Sequence, residues 1–135
     1  MKKILCYFAV IVCLIMTMLY YSKPTFNKTA DKKEVYFNSF SSNASVLYND
    51  DKNFCFNRTG ESFKIKNGEV DVENFLSEYG AEIIFTESTS EGTGYYAYTD
   101  KIRTCKIVNG EKINLHIFVG KLETTVGTPI IFGSF

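Results

Sequence analysis

The sequence predicts an α+β protein: an N-terminal transmembrane helix, then a small antiparallel sheet with one main helix packed on one face. Three observations predict this class. Residues 4–21 form an apolar run without a single charge. Most of the later chain consists of short alternating segments separated by Gly- and Asn-containing turns, which is typical of strands. One segment, residues 71–79, has helical spacing of its apolar residues instead.

The apolar run is long enough to cross a bilayer, because a spanning helix needs roughly 17–25 such residues. Lys2 and Lys3 precede it as a short basic region. Signal-peptide cleavage requires small residues just past the run, whereas here it ends in Tyr20 and Tyr21. We therefore expect an uncleaved anchor over residues 1–21, with a cleaved signal peptide as the alternative. A buried core helix is disfavoured because no polar face interrupts the run.

The lysines before and after the apolar run bear on which side of the membrane the domain lies. Two precede the run, and Lys23, Lys28, Lys32 and Lys33 follow it, so a literal positive-inside count places the domain in the cytoplasm. A short basic region before an apolar core is, however, what the export machinery reads. We expect a single-pass protein of the cell membrane, in contact with lipid through residues 4–21, whose domain is extracytoplasmic.

Residues 22–43 are predicted to be a tether, because they contain Pro24 and many polar residues without sustained periodicity. Residues 44–135 are predicted to be the α+β domain. Its helix over 71–79 has Asp71 as N-cap and Gly80 as the closing residue. Strands are predicted at 45–48, 53–57, 62–66, 81–87, 94–98, 104–108, 112–120 and 127–132, with tight turns at 67–68 and 109–110. Leu115 and Ile117 are expected to face the helix residues Phe75 and Leu76.

Composition excludes several function classes. All 15 acidic residues follow Tyr21, and setting Lys2 and Lys3 aside leaves 13 basic residues against them, a net charge of −2. Nucleic acid is therefore not an expected partner. The sequence contains no hydrolase, phosphate-loop or metal-site motif, so we predict no enzyme, no catalytic residue, no cofactor and no metal. His116 is the only imidazole, and its own strand offers neither an orienting acid nor a nucleophile.

The density of aromatic residues suggests a candidate interaction face. Phe and Tyr make up 16% of the chain, and Tyr is enriched at interfaces. Four residues are candidates for this face: Tyr96 and Tyr98 share one side of the strand predicted at 94–98, and Asn114 and His116 share one side of the strand predicted at 112–120. The alternative for these rings is cross-strand packing on a half-buried sheet. The Gly127-Thr128-Pro129 segment is interpreted as structural rather than as a site.

Two cysteines lie outside the apolar run, namely Cys55 and Cys105. In an exported domain such a pair is a candidate disulfide, which would close a loop of about fifty residues. The alternative is that each is a small buried apolar residue of a strand. Cys6 and Cys13 are interpreted as ordinary apolar residues of the N-terminal helix.

The C-terminal half resembles the YwmB family of Firmicutes proteins. The resemblance covers roughly residues 71–135 and rests on the order of several short motifs: a Gly-Tyr-rich strand (Gly94, Tyr95, Tyr96, Tyr98), a hairpin with a glycine turn, an Asn-Leu pair entering a strand (Asn114, Leu115), and a terminal Gly-Thr-Pro-Ile-Ile. It implies half of a fold similar to the TATA-box-binding protein, in an exported protein of spore-forming bacteria. Family members have about two such repeats, and only the second is recognisable in this chain.

Two functions follow as expectations. The first is a membrane-anchored, non-enzymatic module, sporulation- or envelope-associated, that contacts a protein partner or a second copy of itself. The second is a module that binds a small molecule or a cell-wall fragment on the sheet. DNA binding by analogy with the TATA-box-binding fold is opposed by the negative charge and by export.

Overall fold

The computed structural model of the protein describes residues 2–21, 26, 32–37, 45–48, 58–66 and 71–132. In chain order the elements are α1 (Lys2–Tyr21), β1 (Lys32–Phe37), β2 (Ser45–Tyr48), β3 (Arg58–Lys66), α2 (Val72–Tyr79), β4 (Glu82–Ser88), β5 (Gly92–Tyr98), β6 (Lys106–Val108), β7 (Glu111–Ile113), β8 (Leu115–Gly120) and β9 (Glu123–Thr128). The α+β class is confirmed.

Helix α1 contains an 18-residue stretch, Lys3–Tyr20, with a mean hydropathy of 2.2. By length and composition it is able to cross a membrane, a property that a signal sequence shares. None of the stretch is buried against the rest of the chain, so α1 is not a core helix.

Seven strands form one antiparallel sheet in the order β2-β1-β3-β9-β8-β5-β4, and β6 and β7 form a separate two-stranded sheet. The main sheet is larger than the sequence predicted. The prediction of a tether over residues 22–43 is corrected at two places within it. Residues 32–37 are strand β1, which pairs with both β2 and β3, and the side chain of Phe26 lies in the core.

Helix α2 confirms the prediction over residues 71–79. The Asp71 carboxylate accepts hydrogen bonds from the backbone N–H groups of Glu73 and Asn74, and Asn74 Nδ2 donates to its second oxygen at 2.8 Å. Gly80 ends the helix in the left-handed conformation, and its N–H donates to the Ser77 carbonyl.

The core lies between α2 and one face of the sheet. Leu115 and Ile117 are fully buried there against Phe75 and Leu76, as predicted. Phe26 joins them from outside the regular elements, with its ring 5.0 Å from that of Phe63 and 5.6 Å from that of Tyr79. Its N–H also donates to Oε1 of the buried Glu61.

Several predicted strands need correction: the strand predicted over 62–66 begins at Arg58, and the strand predicted over 104–108 begins at Lys106. The single strand predicted over 112–120 is broken at Asn114 into β7 and β8, because the Asn114 side chain hydrogen-bonds a neighbouring turn. The strand predicted over 127–132 ends at Thr128, since Pro129 has no N–H for the ladder, and the true strand β9 begins earlier, at Glu123. The strand predicted at 53–57 and the turn at 67–68 lie outside the described residues. The Asn109-Gly110 turn between β6 and β7 is confirmed, with φ of 53° and 85°.

Candidate functional site

Three rings stack across three neighbouring strands on the sheet face opposite α2. Phe85 on β4 lies directly across from Tyr96 on β5, which lies across from His116 on β8. The ring centroids of Phe85 and Tyr96 are 4.3 Å apart, and those of Tyr96 and His116 are 4.1 Å apart, with interplanar angles of 18° and 17°. We call these three residues the ring ladder. The ladder ends at Gly127, the partner of His116 on β9.

His116 is the buried end of the ladder, with 2% of its surface exposed. The Ile131 N–H donates to His116 Nδ1 at 3.3 Å, so the neutral imidazole carries its proton on Nε2. Burial disfavours the charged form and lowers the pKa of His116 to about 4. His116 is therefore a neutral, packed ring at physiological pH.

The segment that follows β9 folds back over the same face. A Cβ at Gly127 would lie 2.8 Å from Ile131 Cγ1, so only glycine lets the returning chain approach this closely. Further along, the ring of Phe132 packs edge-on against Tyr36 of β1 at 4.9 Å. The Tyr36 hydroxyl lies 3.0 Å from the Phe132 carbonyl and 2.7 Å from Glu34 Oε2. Residues 129–132 thus cover the β1, β3 and β9 side of the face, which supports the structural interpretation of the Gly-Thr-Pro segment.

Asn114 is fully buried and holds the turn that follows β5. Its Nδ2 donates to the carbonyls of Thr99 and Ile102, and its Oδ1 accepts from the Thr99 N–H at 2.9 Å. All the side-chain groups of Asn114 face this chain. Asn114 and His116 are therefore inaccessible to a partner, although both were candidates for the interaction face.

Tyr96 and Tyr98, the other two candidates, are half-buried. The Tyr96 hydroxyl donates to Glu87 Oε2 at 3.2 Å, and burial together with the Glu87 charge raises the pKa of Tyr96. The nearby Asp100 carboxylate raises the pKa of Tyr98. Both phenols are protonated donors at neutral pH, each beside a carboxylate.

The sequence did not predict that β4 is an exposed edge strand. It lies at the edge of the sheet, paired only with β5 among the described strands, and every residue in it except Phe85 is exposed. Ile83 and Ile84 are 43% and 38% exposed. Alternation identifies a strand without saying whether a second strand covers its outer side. The consecutive isoleucines next to Glu82 and Glu87 were the only available signal.

The described part of the chain brings together no group of three or more His, Cys, Asp or Glu side chains able to hold a metal. In the described part of the chain, His116 contacts the Tyr96 ring and the Ile131 N–H, neither of which activates a nucleophile. What this arrangement offers chemically is a rigid, partly apolar sheet edge.

Cys105 is exposed, and it precedes β6 rather than lying within a strand. It is therefore not a buried apolar residue, which corrects that alternative. Cys55 lies outside the described residues, so the Cys55–Cys105 disulfide stays a prediction.

No protein-family model, curated protein or solved structure matches this chain. The site must therefore be interpreted from its own geometry.

Proposed function

We propose that the protein is a membrane-tethered, extracytoplasmic, non-enzymatic module that binds an extended segment of a partner protein along β4. The observation that carries the proposal is the exposed edge strand. An uncovered edge presents a row of backbone N–H and C=O groups on which another chain can pair. Addition of a strand to such an edge is a recurring way in which domains recognise extended peptides.

The side chains of β4 add an apolar surface to this backbone. Ile83 and Ile84 are exposed, and Phe85 is half-buried at the outer end of the ring ladder. A paired strand would cover part of these side chains, at about 25 cal/mol per Å² of apolar surface removed from water. The ladder supports β4 from behind, because Tyr96 stacks on Phe85 and His116 stacks on Tyr96. A supported edge loses little conformational freedom when a partner pairs with it.

The charges on β4 favour a basic partner over a second copy. The strand carries Glu82 and Glu87 and no basic residue. Pairing two copies would bring four carboxylates onto two neighbouring strands, and like charges on paired strands are destabilising. A segment that alternates apolar residues with Lys or Arg would satisfy both the isoleucines and the carboxylates. We therefore commit to a partner protein with such a segment.

The anchor and its side are part of the proposal. Helix α1 supplies the span, and the basic region ahead of it supports export of the domain. The kinship with the YwmB family and the half of a TATA-box-binding-like fold are also kept as proposals. An antiparallel sheet with α2 on one face is compatible with them at the level of architecture.

The binding of a cell-wall fragment is less well supported. A sugar ring packs on the open face of an aromatic side chain, whereas Tyr96 has Phe85 on one face and His116 on the other. We therefore place recognition on the edge of the sheet rather than on the ladder itself.

The test is site-specific photocrosslinking in membranes that contain the full chain. A photoreactive amino acid replaces Ile84 on the edge, or Leu122 as a matched control that is 85% exposed in the turn between β8 and β9. We expect adducts from position 84 and none from position 122. Mass spectrometry of the adducts should locate the crosslink in an extended segment that carries Lys or Arg.

Charge reversal makes the test specific for this edge. Glu82→Lys combined with Glu87→Lys should abolish the adducts, while Glu123→Lys on β9, also exposed, should leave them unchanged. Adducts that join β4 to β4 of a second copy would show that the edge binds another copy of this chain and would contradict the basic partner. Equal capture from positions 84 and 122 would overturn recognition through the edge.

A further inference from the structure

We propose that the end of the domain bearing Arg103 and the β6–β7 hairpin rests on the surface of an anionic lipid bilayer. This inference rests on the membrane anchorage that is part of the proposed function. It adds a second membrane contact, made by the folded domain itself. Three independent observations carry it: the length of the link to α1, a contact between Arg103 and α1, and the local charge.

The link between the span and the core is too short for the domain to stand away from the membrane. Helix α1 ends at Tyr21, and Phe26 is already buried in the core, with 1% of its surface exposed. A fully extended chain covers at most about 3.3–3.6 Å per residue, so these five steps span at most about 18 Å. The core of the domain therefore begins at most about 18 Å from the end of the span, less than twice the roughly 10 Å that separates packed layers.

One contact identifies the end of the domain that faces the bilayer. Arg103 Nη2 donates to the Tyr20 hydroxyl at 3.2 Å, and the guanidinium lies 5.0 Å from the centroid of the Tyr20 ring. Tyr20 is in the last turn of α1, and tyrosines at the ends of spanning helices lie at the level of the lipid headgroups. Arg103 is thereby placed at the depth of the lipid phosphates.

The segment that forms this hairpin and the turn before it differs in charge from the domain as a whole. Residues 100–112 contain four basic residues and two acidic ones, a net charge of +2, whereas residues 22–135 as a whole have a net charge of −2. The basic residues are Lys101, Arg103, Lys106 and Lys112. Lys101 Nζ donates to the Glu78 carbonyl and Lys106 Nζ lies over the Phe132 ring, so Arg103 and Lys112 are the basic residues of this segment best placed to meet anionic headgroups.

The hairpin also presents an apolar side chain. Ile107 on β6 is 58% exposed, and its cross-strand partner on β7 is Lys112, which is also exposed. An apolar side chain next to a long cationic one suits the interface, where the apolar group enters the acyl boundary and the ammonium remains among the phosphates. We therefore assign Ile107 to the lipid-contacting tip.

The chain contains no tryptophan, so a single introduced Trp is an unambiguous reporter. The full chain with Ile107→Trp is reconstituted in liposomes of phosphatidylcholine with phosphatidylglycerol, or of phosphatidylcholine alone, each with brominated acyl chains that quench Trp on contact. Leu122→Trp is the matched control, since Leu122 is exposed in the turn between β8 and β9, at the opposite end of the sheet. We expect quenching at position 107 that depends on the anionic lipid, and none at position 122.

Charge variants measure the electrostatic contribution to the docking of the hairpin on anionic lipid. Lys112→Gln should lower the ratio of docked to undocked hairpin about fivefold, the factor that corresponds to about 1 kcal/mol. Lys121→Gln is the control, because Lys121 lies at the opposite end and pairs with Glu91. No quenching at position 107 in a chain that resists carbonate extraction would overturn the lipid contact and leave the anchorage standing. Extraction of the chain by carbonate would overturn both.

Discussion

The ring of Tyr96 lies parallel to that of His116 at 4.1 Å, and the same Tyr96 donates a hydrogen bond to Glu87 at the other end of its side chain. This pair connects the buried centre of the sheet to its exposed edge. The ring of His116 must stay neutral for the stack to persist without a buried charge. We therefore expect protonation of His116 at acidic pH to weaken the stack that supports the edge strand β4.

The pH dependence of stability follows from the direction of this shift. The pKa of His116 is lowered to about 4 in the folded protein, so between pH 6.5 and 4 the unfolded chain binds the extra proton. The free energy of unfolding that the neutral His116 contributes is fully present above about pH 6.5 and is lost as the pH falls towards 4. We expect about 2 kcal/mol of lost unfolding free energy between pH 7 and pH 5.

Chemical denaturation of the full chain in detergent measures this loss. His116→Gln retains an acceptor for the Ile131 N–H and removes the titration. Because His116 is the only histidine, the difference between the two pH profiles isolates its effect. Parallel profiles for the two proteins would contradict the buried neutral imidazole.

The core prediction concerns Leu115, which is fully buried beneath α2. Leu115→Ala should lower the free energy of unfolding by roughly 2–5 kcal/mol, through lost burial and the cavity left behind. Leu122→Ala is the matched control, because Leu122 is 85% exposed, and it should change stability by less than about 0.5 kcal/mol. Similar losses in both variants would mean that the effect is not one of core packing.

Elements whose signals are local could be predicted from the sequence. Helix α2 was predicted because Asp71, Gly80 and the apolar spacing between them all lie within ten residues. The inward direction of Leu115 followed from alternation in the same way. These features need no knowledge of what the segment packs against.

Elements defined by their neighbours could not be predicted. Strand β9 has buried threonines, Thr124 and Thr125, which look polar in the sequence but lie between β3 and β8. Strand β1 was included in a tether because its burial depends on pairing with β3, and Phe26 because its contacts are with Phe63 and Tyr79, distant in sequence. The sequence grouped Tyr96 and His116 on one candidate face but did not predict the stack, because register between strands decides that Phe85 joins these two rings.

Asn114 is expected to be structural, and its hydrogen bonds make the prediction specific. Asn114→Leu leaves the Thr99 N–H and the carbonyls of Thr99 and Ile102 without their buried partner, which should cost at least about 2 kcal/mol. Asn114→Asp keeps the acceptor but removes both donors and sets a carboxylate against two carbonyls, so it should be no better tolerated. Asn74→Leu, at an exposed helix position with a side-chain bond to Asp71, should cost about 1 kcal/mol or less.

Hydrogen exchange distinguishes this role from a general loss of stability. In Asn114→Leu the amides of residues 99–102 should exchange faster than those of β8, because the turn loses its anchor while the sheet remains paired. Uniform acceleration over the whole domain would argue against a local anchoring role.

The last prediction concerns the side of the membrane and uses Cys105 as its reporter. Cys105 is exposed, whereas Cys6 and Cys13 lie within the candidate span and are shielded by lipid once α1 is inserted. If the domain is extracytoplasmic, a charged maleimide that cannot cross the bilayer should label intact cells. In a chain that carries Cys55→Ser, the label should disappear when Cys105→Ser is added, and protease added to intact protoplasts should remove the domain while leaving α1. Labelling that first requires a membrane-impermeant reductant would establish the bond to Cys55 on the outer side. Labelling only after permeabilisation, with full protection from protease, would place the domain in the cytoplasm and contradict export, because a charged reagent reaches only the compartment to which it is added.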